Sequence, residues 1–189
     1  MNKPCGYVCA AASDSHKTVY ELLTPELQKL VSEAPRGCRL HTVGRLDCDT
    51  SGLLLITNDG KFSNRITTRT YIQKTYRATL TEPVTPENQK NYTNLAAAGL
   101  TLPPEKKAGE QKALPAMLTF ESDYVCSITV GEGKFHEVRR IFRALGNEVK
   151  ELERIAIGAL ALPPELHPGL WREMTKEETD SLYSHPLNH

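Results

Sequence analysis

A charged turn that runs directly into an unbroken apolar run constrains this chain more than any other feature. The segment Val43-Gly44-Arg45-Leu46-Asp47-Cys48-Asp49-Thr50-Ser51-Gly52 carries three charges and a Thr-Ser-Gly turn, and Leu53-Leu54-Leu55-Ile56 follows at once. Asn58-Asp59-Gly60 then closes the run with a strong turn signal. Such a pattern calls for a loop packed against a buried strand, the arrangement in which a rigid element holds functional side chains in place. Arg45 and Asp47 are two residues apart, so a locally extended chain points a guanidinium and a carboxylate to the same side.

Residue types alone leave several readings of this loop. Asp47 and Asp49 suit a turn in which carboxylates cap backbone amides. Asp47, Asp49, Ser51 and Gly52 also fit positions 1, 3, 5 and 6 of a calcium loop, but position 12 would be Asn58 rather than Glu, and an apolar run stands where a helix should leave. Asp49-Thr50-Ser51-Gly52 faintly matches an aspartic protease loop, with one residue too many. The remaining reading is a catalytic Asp47.

Composition narrows the class. The chain has 189 residues, 39% hydrophobic and 24% charged, enough for one catalytic domain with a sizeable core. A single domain over residues 1–189 is expected, with room for two sub-lobes. No apolar run approaches the ~20 residues of a membrane helix, and the N-terminus lacks a secretory pattern. The expectation is a cytoplasmic protein with no membrane partner. The five cysteines, Cys5, Cys9, Cys38, Cys48 and Cys126, fit neither a disulfide framework nor paired zinc knuckles. Cys5 and Cys9 make at most half of a zinc site, so no metal is expected. Net charge is zero, yet Arg36 to Arg77 holds eight basic residues against three acidic ones. That local excess suits a face that meets phosphates.

Periodicity gives an α+β order of elements around a central mixed, largely antiparallel β-sheet flanked by helices and loops. Strands are expected over Asn2 to Ala10, Leu40 to Val43, Leu53 to Thr57, Lys74 to Leu80, Ala116 to Phe120, Val125 to Val130, Val149 to Ile157, Gly158 to Leu162 and Trp171 to Met174. Helices are expected after Val19, from Pro25, over Lys61 to Thr68, from Thr85 to near Gly99, over Lys134 to Leu145 and over Thr175 to Tyr183. Thr175 and Glu178 form a capping box for the last of these. Residues 101–114, with Pro-Pro and Lys-Lys, read as a surface loop.

Four ordered segments together resemble one family. Gly44-Arg45-Leu46-Asp47 followed by Gly52-Leu53-Leu54 resembles the signature loop of the RNA pseudouridine synthases of the RsuA-like branch, which modify ribosomal RNA. Asn2-Lys3-Pro4 with Gly6-Tyr7-Val8, Lys74-Thr75-Tyr76, and Gly131 to Arg140 resemble its other motifs. The last segment departs at Glu137 and Ile141, where Gln and Met are more usual. The resemblance implies the pseudouridine synthase fold, a base-flipping isomerase, no cofactor, and a ribosomal RNA or pre-ribosomal particle as partner. A monomer is expected. So is the absence of the small N-terminal RNA-binding module of the S4 type that such enzymes usually carry. A catalytically silent RNA-binding module of the same fold is the alternative.

The resemblance also assigns roles. Asp47 becomes the catalytic carboxylate, Tyr76 the ring that stacks on uracil, and Arg139 the cation that favours the ionised Asp47. Burial alone disfavours that charge, so an opposite charge is needed near it. Arg45 is implied to fill the gap left in the RNA stack, with Lys3, Lys74, His136 and Arg140 as further RNA contacts.

Overall fold

Backbone pairing in this chain follows its side-chain alternation, and the chain divides into two compact units, residues 1–72 with 154–189 and residues 73–153. The computed structural model describes residues 1–105 and 108–183. Lys106 and Lys107 of the expected surface loop therefore lie outside the described residues.

In the first unit, Asn2–Lys3 pairs antiparallel with Thr50–Leu53, in the register Asn2 to Leu53 and Lys3 to Gly52. The apolar run is not one strand, as expected over Leu53 to Thr57, but two. Thr50–Leu53 belongs to the pair just described, and Ile56–Thr57 pairs with His41–Thr42. Between them the chain changes partners: Leu54 N–H donates to the Met1 carbonyl at 2.9 Å, and the Leu55 carbonyl accepts from Val43 N–H at 2.8 Å. The expected long first strand is likewise split into Asn2–Lys3 and Tyr7–Val8. Gly6, at φ +87°, turns the chain between them.

Helix Gly60–Thr68 starts where Asp59 accepts from the Lys61 and Phe62 amides, the ordinary N-cap. It buries Phe62 and Ile66 into a core with Val43, Leu53, Leu55 and Ile157. Trp171 to Met174 is not a strand. Arg172 forms a bidentate pair with Glu178, and Trp171 Nε1 donates to the Leu22 carbonyl at 3.1 Å. The segment instead lines a cavity of about 360 Å³ with Leu23, Leu27 and Phe62. Helix Lys176–Tyr183 does have its capping box, with Glu178 N–H donating to Thr175 Oγ1 and Thr175 N–H to Glu178 Oε2.

In the second unit, Lys74–Leu80, Val125–Val130 and Met117–Phe120 lie side by side, all antiparallel, with Val125–Val130 in the middle. Helices Pro86–Ala98 and Glu137–Ala144 supply apolar residues to its core, which gathers Ala78, Leu80, Leu118, Ile128, Ile141 and Phe142. The strand Val149–Ile157 runs from this unit into the first and has the expected bounds. The pairings confirm an α+β protein whose sheet is largely antiparallel; Tyr7–Val8 with Lys17–Thr18 is a parallel pair.

Gly52 fixes how the charged loop meets its strand. It adopts φ +103°, and a Cβ placed there would stand 2.6 Å from the Arg154 amide nitrogen and closer still to its carbonyl oxygen. Both objections are to backbone, which cannot step aside. Gly52→Ala is expected to cost at least ~2 kcal/mol, and so to lower the melting temperature by at least ~4 °C. Gly60→Ala, where a Cβ meets nothing within 4 Å, leaves it unchanged or slightly higher. Thermal unfolding of both variants checks this, and equal melting temperatures would contradict it.

Candidate active site

The Asp47 loop is built on a buried ammonium. Lys3 is 0% exposed, and its Nζ donates to the carbonyls of Thr50 at 2.7 Å, Asp47 at 2.9 Å and Pro4 at 3.1 Å, with Cys48 further off at 3.5 Å. An ammonium has three N–H bonds, so the three short contacts exhaust it. The lysine thus gathers loop carbonyls that point away from any ladder. Gly6 N–H reinforces the grip, donating to the Cys48 carbonyl at 2.7 Å, and Thr50 N–H closes the turn on the Asp47 carbonyl at 3.1 Å. Leu46 N–H donates to Cys9 Sγ at 3.4 Å. Burial pushes the Lys3 pKa down, while the Cys9, Cys5 and Cys48 thiols and the Asp47 carboxylate act against that. Lys3, expected among the RNA contacts, therefore presents no charge at the surface.

The loop's side chains divide by position. Leu46 is buried, Asp47 is half-buried and Arg45 is exposed. A second buried cation lies behind the strand. Arg154 is 4% exposed and donates from Nε to the Leu53 carbonyl at 2.8 Å. Burial raises the pKa of the Cys9 thiol, against the Leu46 N–H and the charges of Lys3, Arg154 and Arg45. Arg154 was not among the expected site residues. No clear signal in the sequence marked it, since the strand face it shares with Leu152 also carries Lys150.

In the second unit the strand Lys74–Leu80 carries Tyr76 opposite Ile128 and Lys74 opposite Val130. Tyr76 is half-buried against the core, and Lys74 is buried. The helix expected from Lys134 begins only at Glu137, because His136 before it is left-handed, with φ +48°. His136 Nδ1 lies 3.1 Å from Glu105 Oε1, and Arg143 lies 3.7 Å from the other carboxylate oxygen. On the helix, Arg139 is half-buried and donates from Nη1 to the Val149 carbonyl at 2.9 Å. Arg140 is 0% exposed. Its guanidinium donates to the Pro103 and Gly109 carbonyls at 2.9 and 2.7 Å and to Gln111 Oε1 at 2.8 Å. It ties the 103–111 segment to the helix and, like Lys3, has no charge free at the surface.

Within residues 36–72 the exposed basic residues are others: Arg36, Arg39, Lys61 and Arg69, besides Arg45. Among the described residues no group of three His, Cys, Asp or Glu side chains is placed to hold a metal ion. Among them too, no helix is long and apolar enough to cross a membrane.

Comparison with known proteins agrees with this geometry. The family described as RNA pseudouridylate synthase matches residues 1–144. The chain is 38% identical to ribosomal small subunit pseudouridine synthase A of Haemophilus influenzae over 183 residues, 96% of this chain and 72% of that protein. It is 39% identical to the protein of that name from Escherichia coli strain K12, over the same shares. A crystal structure of a pseudouridylate synthase superposes with a TM-score of 0.82 at 38% identity, covering 96% of this chain and 71% of that one. A Cbf5-Nop10-Gar1 complex shares the fold at 17% identity and a TM-score of 0.51. The chain belongs to the RNA pseudouridylate synthase family.

The buried ammonium makes a quantitative prediction. Lys3→Met removes the donor of the Thr50 and Pro4 carbonyls and one of the two donors of the Asp47 carbonyl, and should cost on the order of 3 kcal/mol of stability. Arg45→Met, at an exposed position, should cost under ~0.5 kcal/mol. Denaturant unfolding measures both; similar losses would contradict the role given to Lys3.

Proposed function

We propose that this chain converts a uridine of small-subunit ribosomal RNA to pseudouridine, with Asp47 as the reacting carboxylate. The reaction breaks the bond between uracil N1 and ribose C1′, turns the base, and joins C5 to C1′. N1 gains a proton and C5 loses one, so no atom leaves the nucleotide and no electron is gained or lost. What this asks of a protein is a held carboxylate, a means of extruding the base, and a surface for the detached ring.

The single observation that carries the reading is the Asp47 loop. Its backbone is fixed by Lys3, Gly6 and the Gly52 strand junction, while the Asp47 side chain remains half-buried rather than enclosed. A carboxylate on an immobilised backbone needs little reorganisation in the transition state. The names of the relatives in Haemophilus influenzae and Escherichia coli supply the small-subunit substrate.

Other roles follow the resemblance. Tyr76 offers its ring to the flipped uracil, a contact worth about 1–3 kcal/mol. Arg45, exposed on the loop, has the planar guanidinium that replaces lost stacking when a base leaves the helix. Arg139 is the cation that favours the ionised carboxylate. Lys3 and Arg140 are assigned to building the two units rather than to RNA. His136 and Lys74 remain RNA contacts of second rank, and Arg36, Arg39, Lys61 and Arg69 supply exposed charge for phosphates.

Asp47→Asn is nearly isosteric and removes only the ionisable group. The variant should fold, bind ribosomal RNA as the wild type does, and form pseudouridine at least ~10³-fold more slowly, about 4 kcal/mol of barrier. Pseudouridine quantification in parallel with filter binding checks this. Multiple turnovers by pure Asp47→Asn would remove Asp47 from the mechanism. RNA binding by a wild-type chain that makes no pseudouridine would instead favour a silent RNA-binding module.

A further inference from the structure

The helix that carries Arg139 starts without a side-chain cap. His136 stands at its N-cap in the left-handed region, at φ +48° and ψ +35°, and its side chain bonds no amide of the first turn. A Ser, Thr, Asp or Asn oxygen fixes an ordinary helix start, and a non-glycine residue holds this conformation only where its surroundings enforce it. The surroundings of His136 are specific. Its ring stacks on the Phe135 ring, with centroids 3.9 Å apart and planes 17° apart. Its Nδ1 lies 3.1 Å from Glu105 Oε1, in a contact whose two side chains are only 26% and 20% exposed. An ionised carboxylate only accepts, so Nδ1 is the donor. The His136 carbonyl accepts from Arg140 N–H at 2.9 Å, the bond that opens the helix ladder.

Glu105 is itself held in place. Its N–H donates to the Ala108 carbonyl at 2.8 Å, and Ala108 N–H donates back to the Glu105 carbonyl at 2.7 Å. Arg140 grips the Pro103 and Gly109 carbonyls on either side of that turn. Arg143 Nη1 stands 3.7 Å from the second carboxylate oxygen. A fixed carboxylate thus faces the ring of the residue that decides where the helix begins. Arg139 follows His136 by three residues, and its tip is tied to the Val149 carbonyl at 2.9 Å. A shift of the helix start would move the base of Arg139 against that anchored tip.

We propose that Glu105 is a positioning residue for the isomerisation: by holding the His136 ring it fixes the left-handed turn and, through the helix start, the place of Arg139. The inference rests on the functional reading of Arg139 given above. It is separate from any gain in RNA affinity, because a carboxylate repels phosphate and its removal leaves RNA binding unchanged or tighter.

The experiment measures kcat and KM for pseudouridine formation on small-subunit ribosomal RNA, together with filter binding and melting temperature. Glu105→Ala should lower kcat ~tenfold, the scale of a modest misplacement near the reacting groups, without weakening RNA binding. Glu105→Gln keeps an oxygen that accepts from Nδ1 and should return kcat to within ~threefold of wild type. His136→Ala should lose at least as much as Glu105→Ala. His136→Gly lacks the ring too, but glycine takes φ > 0 without steric cost, so its kcat should exceed that of His136→Ala by at least ~threefold. Added to His136→Ala or to Arg139→Gln, Glu105→Ala should change kcat by less than ~twofold, since the link is already broken.

A kcat for Glu105→Ala within ~twofold of wild type would overturn the role, whatever happens to the melting temperature. Weaker RNA binding at unchanged kcat would overturn it in favour of a contact with RNA. Equal losses in His136→Ala and His136→Gly would overturn the route through the turn. If Arg139→Gln turns over like wild type, the reading of Arg139 fails and the positioning role with it. A wild type that makes no pseudouridine defeats the functional reading first.

Discussion

The Lys3 ammonium is the interaction on which the first unit depends. Three carbonyls of two chain segments converge on one nitrogen. Strand pairing alone would not suffice, since Asn2–Lys3 contributes only two residues to its ladder with Thr50–Leu53. A buried charge is costly to desolvate, and only a full set of acceptors offsets that cost. Lys3 has such a set, so its burial converts a flexible charged turn into a fixed platform. Asp47 inherits that fixity through its own carbonyl.

The same device recurs in each unit. Arg140 is enclosed by the Pro103 and Gly109 carbonyls and the Gln111 amide oxygen, and Arg154 holds the Leu53 carbonyl of the strand Thr50–Leu53. These guanidiniums act as struts for the neighbouring backbone. Their use has a consequence for function. Cations that sequence alone offers to RNA are partly consumed by architecture, and the positive charge that stays exposed lies on residues such as Arg36, Arg39 and Arg69.

Much of this was legible in the sequence, for identifiable reasons. Lys74–Leu80 has the expected bounds because its alternation is long enough to set a register, and Val149–Ile157 has its expected bounds too. The capping box at Thr175 is local chemistry and needs no tertiary context. What failed was non-local. Nothing within Leu53 to Thr57 says that the strand changes partner midway, and nothing in Lys134 to Leu145 says that His136 turns left-handed. The strand expected over Trp171 to Met174 is irregular chain. The motifs located Asp47 and its loop, yet Lys3 and Arg140 read as surface charges because burial is a property of the folded neighbourhood. Arg154 was passed over for the same reason.

The central claim is that a carboxylate on this rigid loop isomerises one uridine of ribosomal RNA. The most direct measurement incubates the purified chain with unmodified small-subunit ribosomal RNA, free and in pre-ribosomal particles, and maps pseudouridine at single-nucleotide resolution. The account predicts one newly modified uridine, formed in catalytic excess over protein. RNA left without pseudouridine in both forms, or pseudouridine scattered over many positions without preference, would contradict it.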